Sequence, residues 1–224
     1  TNYKDELISG LDDVDWPKAT KAQQLNWIGK SKGLNIDFTL RGSEEKLTVW
    51  TKFWETVFGV TFVVIAPEIF QQLDLEKMVS EKHADQVRQY IENAYKKTEE
   101  ERKIGEKDKT GVNTGLLVKN PVNGEEVPLY IADYVLMNVG TGIVMGVPSH
   151  DERDFAFARK FGISVRQVVT YSNKDIDKKV SSGEISFEGE GKLVNAGQFD
   201  GQDAWGAGKQ AMADWMVSEG FGQW

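Results

Sequence analysis

Two aspartates three residues apart, Asp151 and Asp154, lie in the stretch Gly140 to Asp154 with the most potential for chemistry, GTGIVMGVPSHDERD. Short apolar runs at Val135–Met137 and Ile143–Met145 are typical of buried strands. Gly140 and Gly142 flank Thr141, where the backbone can turn tightly or approach a ligand closely. Pro148 stops strand pairing because it has no N–H to donate, and Ser149 is a suitable helix N-cap. The spacing predicts a helix over 152–161, with both aspartates in its first turn. Carboxylates at a helix N-terminus are stabilised by the backbone N–H groups there, which by itself accounts for both. The same pair, beside a glycine turn, can also hold a ligand ammonium group. Local chemistry leaves both readings open.

Elements must position these groups. Residues 3–16 read as a polar amphipathic helix carrying Leu7, Leu11 and Val14, ended by Asp15–Trp16–Pro17. A second helix is predicted over Ala19–Ile28. Gly29–Lys30–Ser31–Lys32–Gly33 reads as a turn, since its spacing is not that of a phosphate-binding loop. From Leu34 the period changes to two: Leu34, Ile36, Phe38 and Leu40 alternate with polar residues, and Leu47–Trp50 returns after a turn. Val60–Ala66 is a continuous apolar strand. Between these strands lies Thr51–Lys52–Phe53–Trp54–Glu55–Thr56, whose aromatics either plug a cavity or line one.

Residues 68–104 read as charged helices, with Val87, Ile91, Ala94 and Tyr95 on one stripe and 96–103 as a solvated end. His83 reads as a surface residue. Strands are expected at 116–118, 127–137 and 165–170, with a strand-like Ile185–Phe187 and a closing helix over Ala204–Ser218. Many short strands with helices between blocks of them favour an α+β fold, a mixed β-barrel core with inserted helices, over a regular βαβ array.

Composition excludes several classes of function. The 224 residues contain no cysteine and only His83 and His150, so neither thiol chemistry nor a zinc site is expected. A net charge of −8 argues against wrapping duplex nucleic acid but allows contact with a single-stranded end. No apolar run approaches membrane-spanning length and no leader pattern opens the chain. The start on Thr1, without methionine, suggests an excised fragment, and processing would produce the same start.

Several longer motifs then occur together. Thr48–Thr51 through Thr56–Gly59, Ala66–Pro67–Glu68, Lys109–Gly115, Ala132–Met137, Gly140–Phe155 and Gly191–Gly201 resemble, in order, the editing domain of leucyl-tRNA synthetase. Asn26–Ser31 resembles the segment leading into it from the synthetase core. The resemblance implies residues 1–33 as a helical lead-in and 34–224 as the editing domain, inserted in a cytoplasmic class I aminoacyl-tRNA synthetase. Its activity would be hydrolysis of the ester of a mischarged amino acid on the 3′ end of leucine tRNA. The partners implied are that tRNA and the remainder of the synthetase chain, with no membrane or metal. No cofactor is implied for editing, because ATP would bind only the synthetase core.

Position by position, Asp154 matches the aspartate that holds the α-ammonium, with Asp151 and His150 shaping the same pocket. Thr56 matches the threonine that excludes leucine, and Thr51 the first threonine of the loop. Met137, Val144 and Met145 fall on strands bordering the pocket. Steric exclusion is needed there, because one or two methylenes offer only ~1–3 kcal/mol of pocket affinity. The loop departs from the family's usual Thr-Thr-Arg-Pro-Asp-Thr in four inner positions, Lys52, Phe53, Trp54 and Glu55. A bulkier, more apolar loop is expected to crowd the space for the terminal adenosine and weaken hydrolysis. The alternative reading is a degenerate, non-hydrolytic insertion retained for structure or for binding the tRNA end.

Overall fold

The structure, a computed structural model, describes residues 3–29, 32–104 and 110–224. The readings made on Lys30, Ser31 and Lys109 lie outside the described residues. The chain divides into two compact units, 1–32 and 33–224.

In the first unit, helix α1 covers Lys4–Ser9 and α2 covers Lys18–Ile28. The single helix expected over 3–16 therefore ends early. Gly10 follows as its cap, and the aspartate-rich residues after it form turns. Pro17 is extended and starts α2, as a fixed φ just ahead of a helix allows.

In the second unit, β1 (Leu34–Leu40) and β2 (Lys46–Thr51) form an antiparallel pair whose alternating residues are buried. Strands β3 (Phe62–Ile65), β4 (Val112–Lys119), β5 (Glu126–Ile131) and β6 (Ile143–Gly146) complete the path β2-β1-β4-β5-β3-β6. Only β3 and β5 pair in parallel within it. The two ends of the path, β2 and β6, lie against each other, so the sheet curls into a nearly closed barrel.

The unbroken apolar run of β3 follows from burial on both faces. Val63 and Ile65 enter the large core, while Phe62 and Val64 join a second cluster with Tyr130, Val135 and Phe157. Helix α6 (Glu152–Phe161) supplies Phe157, whose ring stacks 5.0 Å from Phe62. Helices α3 (Pro67–Gln72), α4 (Glu81–Tyr95) and α5 (Glu99–Ile104) follow β3, and α7 (Lys174–Ser181) and α8 (Ala207–Ser218) come later. Short strands β7 (Val169–Thr170) and β8 (Lys192–Leu193) pair with each other, and β9 (Gly222–Gln223) pairs with β1.

Several expectations are corrected. Beyond Ile131 the chain does not continue as a strand to Met137 but turns. Gly140 and Gly142 take positive φ, and a Cβ at Gly142 would lie 2.6 Å from Ile69 and 3.1 Å from the Met137 backbone. The Val135–Leu136 run is apolar because the turn is packed, not because it is paired. The strand expected over 165–170 shrinks to β7, since the Val168 and Val169 N–H groups donate to His150 Nε2. Ile185–Phe187 forms no strand; the Phe187 N–H goes to the Ser149 carbonyl.

The run 96–103 is not wholly solvated either. Arg102 is buried, with its side chain 5% exposed, and pairs with Glu68 of α3. It also donates to the Asp133 and Val135 carbonyls. Lys97 pairs with Asp133 at 2.6 Å, and Tyr90 and Thr110 donate to the same carboxylate. Burial raises the Asp133 pKa, but Lys97 and these hydroxyls outweigh it and leave the carboxyl below its usual range. Arg102→Met leaves the partly buried Glu68 without its cation and frees the 133–135 turn. It is expected to lower stability to urea by about 3 kcal/mol, seen as a lower midpoint at unchanged m-value.

Candidate functional site

A cleft of about 480 Å³ opens where β2, β6, the 134–139 turn and the N-terminus of α6 meet the 169–189 segment. Its apolar floor includes Val49, Val135, Leu136, Val144, Met145 and Val147.

The end of β6 and the start of α6 are joined by one carboxylate. Asp154 Oδ2 accepts the Val147 N–H at 2.8 Å. Asp151, rather than Ser149, caps the helix: its Oδ1 accepts the Arg153 and Asp154 N–H groups at 2.8 and 3.0 Å. Ser149 cannot serve, because it is fully buried two residues earlier, where its carbonyl accepts the Phe187 N–H. Both aspartates line the cleft. The structural reading of the pair is therefore satisfied, and the carboxylates also face the space where a ligand would lie. Asp151, Asp154 and Glu188 give the wall three carboxylates against the guanidinium of Arg153, which contacts Asp151 at 3.1 Å. That balance suits an ammonium ligand.

Thr51 and Thr56 line the same cleft and are tied to a single residue between them. Thr51 Oγ1 accepts the Phe53 N–H at 3.0 Å, whereas Thr56 Oγ1 donates to the Phe53 carbonyl at 2.8 Å. Thr56 is thus left as an acceptor, and Thr51 retains a hydroxyl proton to donate. Trp54–Gly59 form a turn of 3-10 helix that buries Trp54 and Glu55 against α8. Of the four departures in the loop, only Phe53 lines the cleft. Phe53 is therefore the one altered side chain that takes up space at the cleft, while Trp54 and Glu55 turn toward α8.

His150 lines the cleft, but both its ring nitrogens are engaged. Nε2 accepts the Val168 and Val169 N–H groups at 2.9 and 3.1 Å, which assigns the proton to Nδ1. Nδ1 faces the Tyr171 hydroxyl at 2.8 Å, and that hydroxyl donates to the Phe187 carbonyl at 2.6 Å. Burial lowers the imidazole pKa to about 4, opposed weakly by the Phe187 carbonyl. His150 is thus held neutral, bridging the 149–151 turn to the 168–171 segment in the cleft wall. Val144 and Met145 line the cleft from β6. Met137 does not: it sits in the turn, 42% exposed, and Leu136 and Val139 take its place.

Tyr134 and Trp205 also line the cleft and were not singled out from sequence. Burial, then the charge of Asp154, pushes the Tyr134 phenol far up, so it remains a neutral hydroxyl. Its place three residues after Ile131, the last of β5, is the only local signal for it. Trp205 carries none, because its partners are distant: its ring packs edge-on at 6.0 Å from Phe53 and its indole donates to the Gly189 carbonyl. Among the described residues no group of three or more His, Asp or Glu side chains is placed to hold a metal ion.

The family profile described as "Leucyl-tRNA synthetase, editing domain" matches residues 25–217. A leucine–tRNA ligase of Thermotoga maritima is 39% identical over the whole chain, which covers 26% of that protein. One from Clostridium beijerinckii is 43% identical over 97% of the chain and 28% of the relative. Among solved structures, the Agrobacterium radiobacter K84 agnB2 LeuRS in ternary complex with tRNA and LeuAMS superposes with a TM-score of 0.67. The match is 31% identical and covers 99% of this chain and 23% of that one. The chain spans about a quarter of the length of the curated relatives it matches.

Neutral His150 carries a pH signature. Its folded pKa, about 4, lies below the ordinary 6.5, so the unfolded chain binds more protons between these values. The stability it contributes is complete above pH 6.5 and is lost as pH falls toward 4. His150→Gln keeps an acceptor near the Nε2 position but cannot titrate. It is expected to flatten the pH dependence of the unfolding free energy across that window, measured by urea titration at successive pH values.

Proposed function

The chain belongs to the leucyl-tRNA synthetase editing-domain family, and we propose from that premise that its cleft hydrolyses the ester of a mischarged amino acid on the 3′ end of leucine tRNA. The observation carrying this reading is the Asp154 carboxylate, held by the Val147 N–H at the mouth of α6 and lining one cleft with Thr51 and Thr56.

In this reading Asp154 pairs with the α-ammonium of the amino acid, with Asp151 adding negative charge beside it. The anchored ester then has its carbonyl near the loop, where the Thr51 hydroxyl donates a hydrogen bond to the oxygen as charge develops on it. Water adds to the carbonyl carbon. The tetrahedral intermediate collapses with the ribose oxygen leaving as a hydroxyl, and the free amino acid departs. Thr56, pinned by its bond to the Phe53 carbonyl, sets the depth available to the side chain and excludes leucine by contact.

The degenerate, non-hydrolytic reading rests on Lys52–Glu55. Three of those four residues lie outside the cleft lining, and the cleft itself remains open, which favours hydrolysis.

The test is deacylation of leucine tRNA charged with norvaline or isoleucine by the full-length synthetase carrying this domain. Hydrolysis is expected to fall on the order of 100-fold in Asp154→Ala, with leucine charging unchanged. Wild-type hydrolysis no faster than the uncatalysed rate would favour the degenerate reading instead. Thr56→Ala is expected to admit leucine, so that correctly charged leucyl-tRNA becomes a substrate. Stability of that ester against the variant would remove Thr56 from the excluding role.

A further inference from the structure

The four inner residues of the Thr51–Thr56 loop share one partner from another part of the chain. Lys209, on the first turn of α8, donates from Nζ to the Lys52 carbonyl at 2.7 Å. The same ammonium lies 5.4 Å from the centre of the Phe53 ring and 4.6 Å from that of Trp54, with Trp205 at 5.3 Å. It is also 3.0 Å from Oε2 of Glu55, whose carboxylate is completely buried. The Trp54 indole closes the cluster by donating to the Lys209 carbonyl at 2.8 Å.

A completely buried carboxylate has no place in a loop unless a cation accompanies it. A lysine ammonium enclosed by three rings and a carboxylate is likewise held firmly, because the ring faces and the carboxylate all carry negative potential. Burial raises the Glu55 pKa, and Lys209 opposes that rise. The consequence for the cleft runs through Phe53. Lys209 holds the backbone at Lys52 and the side chains of the next three residues, and the peptide groups of Phe53 orient the hydroxyls of Thr51 and Thr56.

We infer that Lys209 is a positioning residue for the cleft: paired with Glu55 and bound to Lys52 and the aromatic rings, it sets the loop geometry that aims the Thr51 and Thr56 hydroxyls. This inference rests on the hydrolytic reading of the cleft. It also assigns a role to Lys52–Glu55, whose unusual residues form a clasp with α8 in place of a rigid proline.

Lys209→Met alone strands Glu55 without its cation and is expected to unfold more easily, which by itself says little. The decisive variant is Lys209→Met with Glu55→Gln, made in the full-length synthetase, where no buried charge is left. It is expected to keep leucine charging and a thermal midpoint close to wild type. The rate constant kcat for deacylating norvaline-charged leucine tRNA is expected to drop roughly 100-fold, with KM nearly unchanged. In the same protein, ¹³C-methyl signals of Thr51 and Thr56 are expected to shift, while that of Thr114, buried in β4, stays in place.

A double variant that regains both stability and wild-type kcat would overturn the inference and leave Lys209 a purely structural residue. Unmoved Thr51 and Thr56 methyl signals would overturn it as well. An inactive wild type would instead count against the hydrolytic reading, and the methyl signals would still decide whether Lys209 sets the loop.

Discussion

The hydrogen bond from the Val147 N–H to the Asp154 carboxylate carries much of the architecture around the cleft. It joins the first residue after β6 to the first turn of α6, across a segment that Pro148 prevents from continuing as a strand. With Asp151 capping the helix, the N-terminus of α6 is held at the cleft edge with two carboxylates at the positive end of its dipole. The helix is fixed at its other side by Phe157, which packs on Phe62 and Tyr130. On the proposed reading, a ligand ammonium would meet a carboxylate whose position is set before it arrives, with little ordering needed on binding.

The rest of the wall is held by three side chains, of which only His150 also lines the cleft. Arg102 draws in the carbonyls of Asp133 and Val135, and so places Tyr134 and Val135. His150 ties the 149–151 turn to β7 and, through Tyr171, to Phe187. Lys209 gathers the Thr51–Thr56 loop. Three basic side chains thus hold three walls, each from a different stretch of the chain, and each is largely buried. Such supports are sensitive to loss because the partner carbonyl or carboxylate is left desolvated when they go.

The loop departures take on a different meaning in this setting. In isolation, Lys52–Phe53–Trp54–Glu55 looks like a loop enlarged into its own binding site. In the folded chain Trp54 and Glu55 turn inward toward α8, leaving Phe53 at the cleft edge beside Trp205. The space in the cleft is kept because the bulk is housed elsewhere.

Local pattern alone determined much of this protein. The alternation in β1 and β2, the doubly buried run of β3, and the bounds of α6 follow from periods of two and 3.6 and from turn and cap residues, all set within a few positions along the chain. Asp151 and Asp154 were legible from the helix-start pattern around them, whereas Thr51 and Thr56 were singled out only through the family resemblance of their loop. Tertiary structure alone decided the rest. Val135–Met137 has the composition of a strand, but its burial comes from a packed turn. The Val168 and Val169 N–H groups go to an imidazole eighteen and nineteen residues away. Trp54 and Lys209, 155 positions apart, meet only because α8 closes over the loop. Buried charges and spare backbone groups take whichever partner the fold brings near, and the distance between such partners along the chain leaves no periodic trace in the sequence.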